Sequence, residues 1–340
     1  MNKSSLVKRV TLATAVLLLA LLYGCDSKGT GPAAAGKEKV GQAQGLKLRV
    51  GYNVGALNRE FFLETAFSQG FFSKYGLEIE DKGYSVGGQI VQDLAGGNLD
   101  IGLVGISPSM AGVAQGADIV VVASQVKNNC PLVTRKNIRI LKDLNGKKVG
   151  TPGLSSIQET MLSYLERKEG FKTTHVYGKA PDLVGYLEKG EIDAILAWEP
   201  VAAQAVNKLH VQYLLDTTIP GAEASEVTVS GKLFRERPQV VINFLQAMEA
   251  TRRHIVNNTA QRIKVAAGKT NLPESVVAES VRRSNLFLDE MTVNMASVRI
   301  IADEDIASGK LKGVTAKDRD PFLAKAIDTK LLKKALEAMQ

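Results

Sequence analysis

From Leu46 onward, the alternation of apolar and polar positions predicts strands and helices in a repeated order. Leu46 to Val50 alternates basic and apolar residues into Gly51 and reads as a first strand. A loop, Asn53 to Arg59, leads to a helix from about Glu60 to Ser68. Glu78 to Gly83 is a second strand, and Gly87-Gly88-Gln89 opens a helix that stops at Gly97. Asp100 then precedes a run, Ile101 to Val104, too short and continuous for an amphipathic helix, so it reads as a buried strand.

The same order recurs downstream. Lys147 to Gly150 is a strand, a helix runs from Ser155-Ser156 to about Lys168, and His175 to Gly178 is a strand. Asp182 to Lys189 is the next helix, and Asp193 to Ala197 the buried strand. In each copy a helical Leu (Leu94, Leu187) is followed by a Gly stop (Gly97, Gly190), an Asp and an apolar run, which predicts two equivalent α/β lobes. The two buried strands end at Gly105-Ile106-Ser107 and Trp198-Glu199-Pro200, and in open α/β sheets ligands sit outside the carboxyl ends of strands.

Between the copies, Ile119 to Gln125 is a strand and Asn128 to Thr134 an extended crossover; a second crossover should return near Glu226 to Ser230. From Pro238 the pattern turns helical, with Val241, Phe244, Leu245, Met248 and Ile255 forming a stripe. Further helices are expected over 259–267, 273–283, 290–303 and 320–338, packed on the sheet of the first lobe. The resulting division is 1–24 signal peptide, 25–45 tether, 46–130 lobe one, 131–228 lobe two, and 229–340 return to lobe one with C-terminal helices.

The N-terminus changes the picture. Lys3, Lys8 and Arg9 precede an apolar run, Val10 to Leu22, shorter than the roughly 20 residues that span a bilayer, as in a secretory signal. Leu22-Tyr23-Gly24-Cys25 resembles a bacterial lipobox, which implies lipidation of Cys25 and a membrane anchor; the Asp26 that follows resembles an inner-membrane retention signal of Gram-negative bacteria. Asp26 to Gly45, rich in Gly, Ala and Lys, has the composition of a flexible tether. With Cys25 lipidated, Cys130 has no intrachain partner for a disulfide and is expected to be a buried thiol. The formal charge of +8 on 340 residues is dispersed, with no basic stripe interleaved with aromatics, so nucleic acid is not an expected partner.

Candidate ligand contacts follow from position. Trp198, the only Trp, and Glu199 leave the second buried strand at the cleft mouth; Gly105, Ile106 and Ser107 occupy the equivalent mouth of the first lobe. Gly87, Gly88 and Gln89, like Ser155 and Ser156, open helices whose unpaired amides suit an anion, with simple capping as the competing role. Arg59 and Lys179 could pair with an oxyanion, and Asn53 and Asn58 lie in the loop of the first strand. Glu199 is placed either to accept from a ligand nitrogen or to cap a neighbouring helix. Asp100 and Asp193 lie at the opposite end of their strands and read as turn-stabilising. The three histidines are scattered with no ligand set at metal spacing, and neither a nucleophile elbow nor a P-loop is complete, so neither catalysis, metal nor cofactor is expected.

Val50-Gly51-Tyr52, Gly70 to Ile79, Leu94 to Gly102, Leu141 to Gly150 and Gly190 to Pro200 together resemble the periplasmic substrate-binding proteins of ABC importers, specifically the nitrate/sulfonate/taurine group, which is similar to the thiamine-precursor-binding proteins. The resemblance covers roughly residues 47–230. It implies a type II periplasmic-binding-protein fold, two lobes joined by a two-strand hinge, and a small polar or anionic solute held between them. The implied partners are a permease and its ATPase, with the receptor a monomer on the extracytoplasmic face. A sensory module reporting to a membrane kinase, and a thiamine-pyrimidine synthase-like protein, are the rival readings.

Overall fold

A computed structural model of the protein describes residues 46–340; the segments expected to be a signal peptide, a lipidation site at Cys25 and a tether lie outside the described residues. The two repeats build two five-stranded sheets. The first comprises β1 (Leu46–Asn53), β2 (Leu77–Tyr84), β3 (Ile101–Val104), β4 (Ile119–Lys127) and, much later in the chain, β10 (Glu223–Ser230), in the order β2-β1-β3-β10-β4. The second comprises β5 (Leu132–Arg135), β6 (Lys148–Thr151), β7 (Thr174–Tyr177), β8 (Ala194–Leu196) and β9 (Val211–Leu215), in the order β7-β6-β8-β5-β9. In each sheet four strands run in one direction and the strand next to the central one is antiparallel to them, the signature of a chain that crosses between lobes.

In the first lobe a π-helical turn, Asn58–Leu63, feeds α1 (Glu64–Ser68); α2 (Phe71–Lys74), α3 (Gly87–Ala95) and α4 (Ile106–Ala114) follow. The second lobe carries α5 (Ile157–Glu169), α6 (Leu183–Lys189) and α7 (Val201–Lys208). Gly105-Ile106-Ser107, expected to be irregular, is the N-terminus of α4, because Gly105 takes extended dihedrals and the apolar face Ile106, Met110, Val113 continues helically. The repeated Asp has one role in both lobes. Asp100 Oδ2 accepts from the Arg49 amide at 2.9 Å, and Asp193 Oδ2 from the Lys148 amide at 2.9 Å, so each fastens the first strand of its own lobe at the end away from the cleft.

The chain crosses at 128–131 and returns at 216–222. The return is complete by Glu223 and continues as a full strand, β10, inserted between β3 and β4. Beyond it lie α8 (Gly231–Glu236), α9 (Pro238–Asn257), α10 (Thr259–Thr270), α11 (Glu274–Ser284), α12 (Met295–Ala307), α13 (Arg319–Ala326) and α14 (Lys330–Glu337). The expected single helix over 320–338 is two, interrupted where Ile327 bridges to Val121 of β4.

The placement of these helices on lobe one needs correction. α9, α10 and α14 cover the first sheet, where Phe72 stacks on Phe244 at 5.8 Å and Phe61 on Phe287 at 5.7 Å. α11 packs on both lobes, burying Val277 and Val281 in the first-lobe core while meeting α7, and Val298, Ile301 and Ala302 of α12 share a core with Met110 of α4 and Met161 and Leu162 of α5. Periodicity shows that a helix buries one face; it does not say against which lobe.

Candidate functional site

The carboxyl ends of β1, β3, β6 and β8 point at one another across the boundary of the lobes, which are shut at this edge. A Cβ on Gly88 would lie 2.5 Å from Ser155 Oγ, and one on Gly105 would lie 3.1 Å from Ile157 Cγ2, each a contact from lobe to lobe. Ser107 Oγ shares a 2.8 Å hydrogen bond with Thr160 Oγ1, and Thr160 donates to Asp305 Oδ1 of α12 at 2.7 Å. Three elements therefore meet at the start of α4.

Two features compete for the ligand. An open cleft of about 620 Å³ beside this edge is lined by Gly88, Ser107, Ser155, Lys310 and Lys312. Its best-placed polar groups already have partners: Ser107 bonds Thr160, and Lys310 Nζ donates to Thr160 at 2.7 Å. Asp305 Oδ2 is the one buried oxygen of that cluster without a partner, whereas the inner seam between the lobes gathers several. Asn53 Nδ2, Gln125 Nε2, Gln158 Oε1, Trp198 Nε1 and both Glu226 carboxylate oxygens are buried there without a hydrogen-bond partner. Leaving such a group unmatched costs about 1–3 kcal/mol, more when it is charged, so a concentration of them at one seam calls for a bound partner.

Local structure aims each of these groups. Asn53 ends β1; two residues on, Gly55 has φ 77° and its Cβ position lies 3.9 Å from Trp198 Nε1, which brings the first-strand loop against the second-lobe Trp. Gln125 lies on β4, where its Oε1 accepts from Asn58 Nδ2 and Ser225 Oγ, both at 2.8 Å, leaving Nε2 as a free donor. Gln158 sits in the first turn of α5; its Nε2 donates to Cys130 Sγ at 3.2 Å in the first crossing, leaving Oε1 free. Glu226 sits opposite Val104 and Ser124 in the sheet.

The predicted residues divide. Asn53 and Trp198 are at the seam with unmatched donors, Asn58 orients Gln125, and Gly105, Ile106 and Ser107 form its first-lobe wall. Ser156 caps α5, accepting from the Glu159 amide at 3.2 Å. Gln89 accepts from the Ser85 amide, and Gly87 packs against Val104 and Pro108. Glu199 is fully buried, and its carboxylate accepts from Ala203 N at 2.9 Å, Tyr213 Oη at 2.9 Å and Ser280 Oγ at 3.3 Å, so it caps α7 and ties it to α11. Burial pushes that carboxyl above its ordinary range. Arg59 pairs with Asp81 at 2.7 Å and Glu64 at 3.3 Å, and Lys179 is exposed. Cys130 is buried, and burial pushes its thiol up to about 12.

Gln125, Gln158 and Glu226 were not among the residues picked from the sequence. Nor was the cluster at β7, where His175 lies 2.5 Å from Glu159 and 3.1 Å from Glu166. Among the described residues no His, Cys and carboxylate group forms a metal-binding set.

Two α/β lobes with antiparallel crossings between them define a type II periplasmic-binding-protein fold. The NMT1/THI5 like family matches residues 61–261, and the chain belongs to that family. The taurine-binding periplasmic protein of Escherichia coli K12 is 29% identical over 264 residues, 73% of this chain and 80% of that one. The solved alkanesulfonate-binding protein SsuA of Xanthomonas axonopodis pv. citri, bound to MOPS, superposes with a TM-score of 0.72 at 19% identity, covering 84% of this chain and 99% of that one. The periplasmic nitrate-binding protein NrtA of Synechocystis PCC 6803 superposes with a TM-score of 0.69 at 16% identity, covering 86% and 89%.

Proposed function

We propose that the protein is the solute-binding component of an ABC importer. It captures a small polar or anionic solute of the sulfonate, nitrate or taurine kind at the interlobe seam and delivers it to a permease driven by an ATPase. The observation that carries this reading is the set of unmatched buried polar atoms contributed by both lobes, which a small polar molecule held between them would satisfy. The relatives named for taurine, alkanesulfonate and nitrate support the solute class. Binding favours the closed state by contacts that exist only when the lobes are shut, and the closed form is what the permease recognises.

The protein is a receptor and not an enzyme in this reading, which the relatives named as binding proteins support. Lipidation at Cys25 anchors it as a monomer to the outer face of the cytoplasmic membrane; 46–130 with β10 serve as one lobe, 131–222 as the other, and the helices after β10 as a clasp. Small-angle scattering and Trp198 fluorescence of the purified chain, titrated with taurine, alkanesulfonates, nitrate, bicarbonate and pyrimidines, test it. Compaction with a fluorescence change is expected for at least one compound; silence across the panel would sink the reading. A pull-down that recovers a kinase instead of a permease would favour a sensory role.

A further inference from the structure

The unmatched atoms at the seam are sorted by polarity. Asn53 Nδ2, Gln125 Nε2 and Trp198 Nε1 are donors; Gln158 Oε1 and both oxygens of Glu226 are acceptors. The donors come from the end of β1, from β4 and from just beyond β8, with Gln125 bonded to Ser225 next to Glu226. The acceptors lie together near the crossing: Gln158 bonds Cys130, and the Glu226 charge acts on the same thiol. A plain anion such as nitrate or an alkanesulfonate would satisfy the donors and leave the acceptors stranded.

Glu226 carries the argument furthest. It is fully buried in β10, and neither oxygen meets a donor. Its neighbour Glu223 is partnered, by Ser124 Oγ at 2.6 Å and the Asn294 amide at 2.5 Å, so the two acids do not share a proton-donating group. Of the cations, only Lys127 acts on Glu226, and Lys127 Nζ is already donated to the Glu290 carbonyl at 2.6 Å on the surface. Burial first, and then the Glu223 charge, hold the Glu226 carboxyl well above the usual range. An acid held in this way is the pattern expected where a cation supplied from outside completes the pair.

Resting on the importer reading above, we infer that Glu226 is the counter-charge for a protonated nitrogen on the ligand, so that the seam selects a compact zwitterion over a simple anion. The oxyanion end meets Asn53, Gln125 and Trp198; the ammonium end donates to Glu226 and Gln158. Glu199, the acid that the primary structure draws attention to, takes no part in this because its bonds are made within the protein.

Isothermal titration of the full chain with taurine and with two isosteres lacking the ammonium, ethanesulfonate and isethionate, tests the inference. Removing one partner of a buried charge pair predicts that taurine binds roughly 100-fold or more tightly than either isostere. Glu226→Gln should bring taurine down to the level of ethanesulfonate while keeping or raising the thermal midpoint of the unliganded protein, because an unpaired buried acid is removed. Equal affinities for taurine and ethanesulfonate, or a Glu226→Gln protein that keeps the preference, would overturn it; the isostere comparison on the unmutated chain decides even if the variant does not fold. Silence toward all three sulfonates with a response to β-alanine but not propionate would end the sulfonate reading and leave the Glu226 assignment standing. Silence toward β-alanine as well would end both.

Discussion

Gly88→Ala is a one-methyl test of whether the lobes must shut as they do here to hold ligand. The new Cβ would sit 2.5 Å from Ser155 Oγ and 2.8 Å from Ser155 Cβ. The hydroxyl can rotate away, but the Cβ is fixed to the second-lobe backbone, so the lobes must separate by several tenths of an ångström. Overpacking a close contact costs about 1–3 kcal/mol. If that penalty falls wholly on the closed state, the dissociation constant rises roughly 5- to 150-fold.

The open, unliganded protein should gain, because Gly88 lies within α3 and is not among the glycines with positive φ, and Ala is favoured over Gly in a helix by about 1 kcal/mol. Calorimetric titration with the solute identified in the panel, paired with the thermal midpoint of the empty protein, separates the two effects. Ser155→Gly in the same chain removes both clashing atoms and should restore affinity, a double-mutant coupling of similar size to the original loss. A Gly88→Ala protein that binds as tightly as the parent, or a loss that Ser155→Gly leaves untouched, would refute the idea that this edge closes on ligand.

Trp198→Ala should weaken binding by about 1–3 kcal/mol, the scale of burying one large side chain, and an unchanged dissociation constant in fluorescence-independent titration would return Trp198 to the core. His175 is raised above its ordinary value by its hydrogen bond to Glu159, against burial, with Glu166 adding. Its stabilisation is therefore fully present below about pH 6.5 and lost as pH rises through the folded value. The loss of thermal midpoint in His175→Gln should accordingly shrink from pH 5.5 to pH 9; a loss that grows would contradict the assignment. Asp100→Ala removes the acceptor for the Arg49 amide and guanidinium and should lower stability by about 1–3 kcal/mol in urea unfolding with solute affinity unchanged. Cys130 in the folded protein should resist alkylation at pH 8, and rapid labelling in native buffer would show that the crossing opens.

The repeat was legible in the primary structure because it rests on local physics. Gly97 and Gly190 take φ of 72° and 80°, where glycine is favoured, and Asp100 and Asp193 bond the amides of the strand beside them. Asn53, Ser107 and Trp198 could be placed at the boundary of the lobes from the sequence because each ends or follows a strand there. Glu226 could not, since Glu226 to Ser230 reads from the sequence only as a returning crossover. The insertion of β10 between β3 and β4 is what buries it. Gln158 belongs to the helix opening that begins at Ser155, where the backbone amides and not its side chain carried the expectation. The reverse holds for Glu199 and Arg59, whose positions promised ligand contact but whose charges meet α7, Tyr213 and Ser280, or Asp81 and Glu64, brought near by the fold.

The bond between Ser107 and Thr160, with Asp305 behind it, is made by the protein alone. In population terms this tilts the unliganded equilibrium toward shut molecules, so a smaller share of the solute's binding free energy goes into moving the lobes and the apparent affinity lies closer to the intrinsic one. The same tilt narrows the difference in shape between loaded and empty molecules. A solute that pins both sides of the seam would lengthen the time the lobes stay together, so loading would register in the persistence of the closed form as well as in its population.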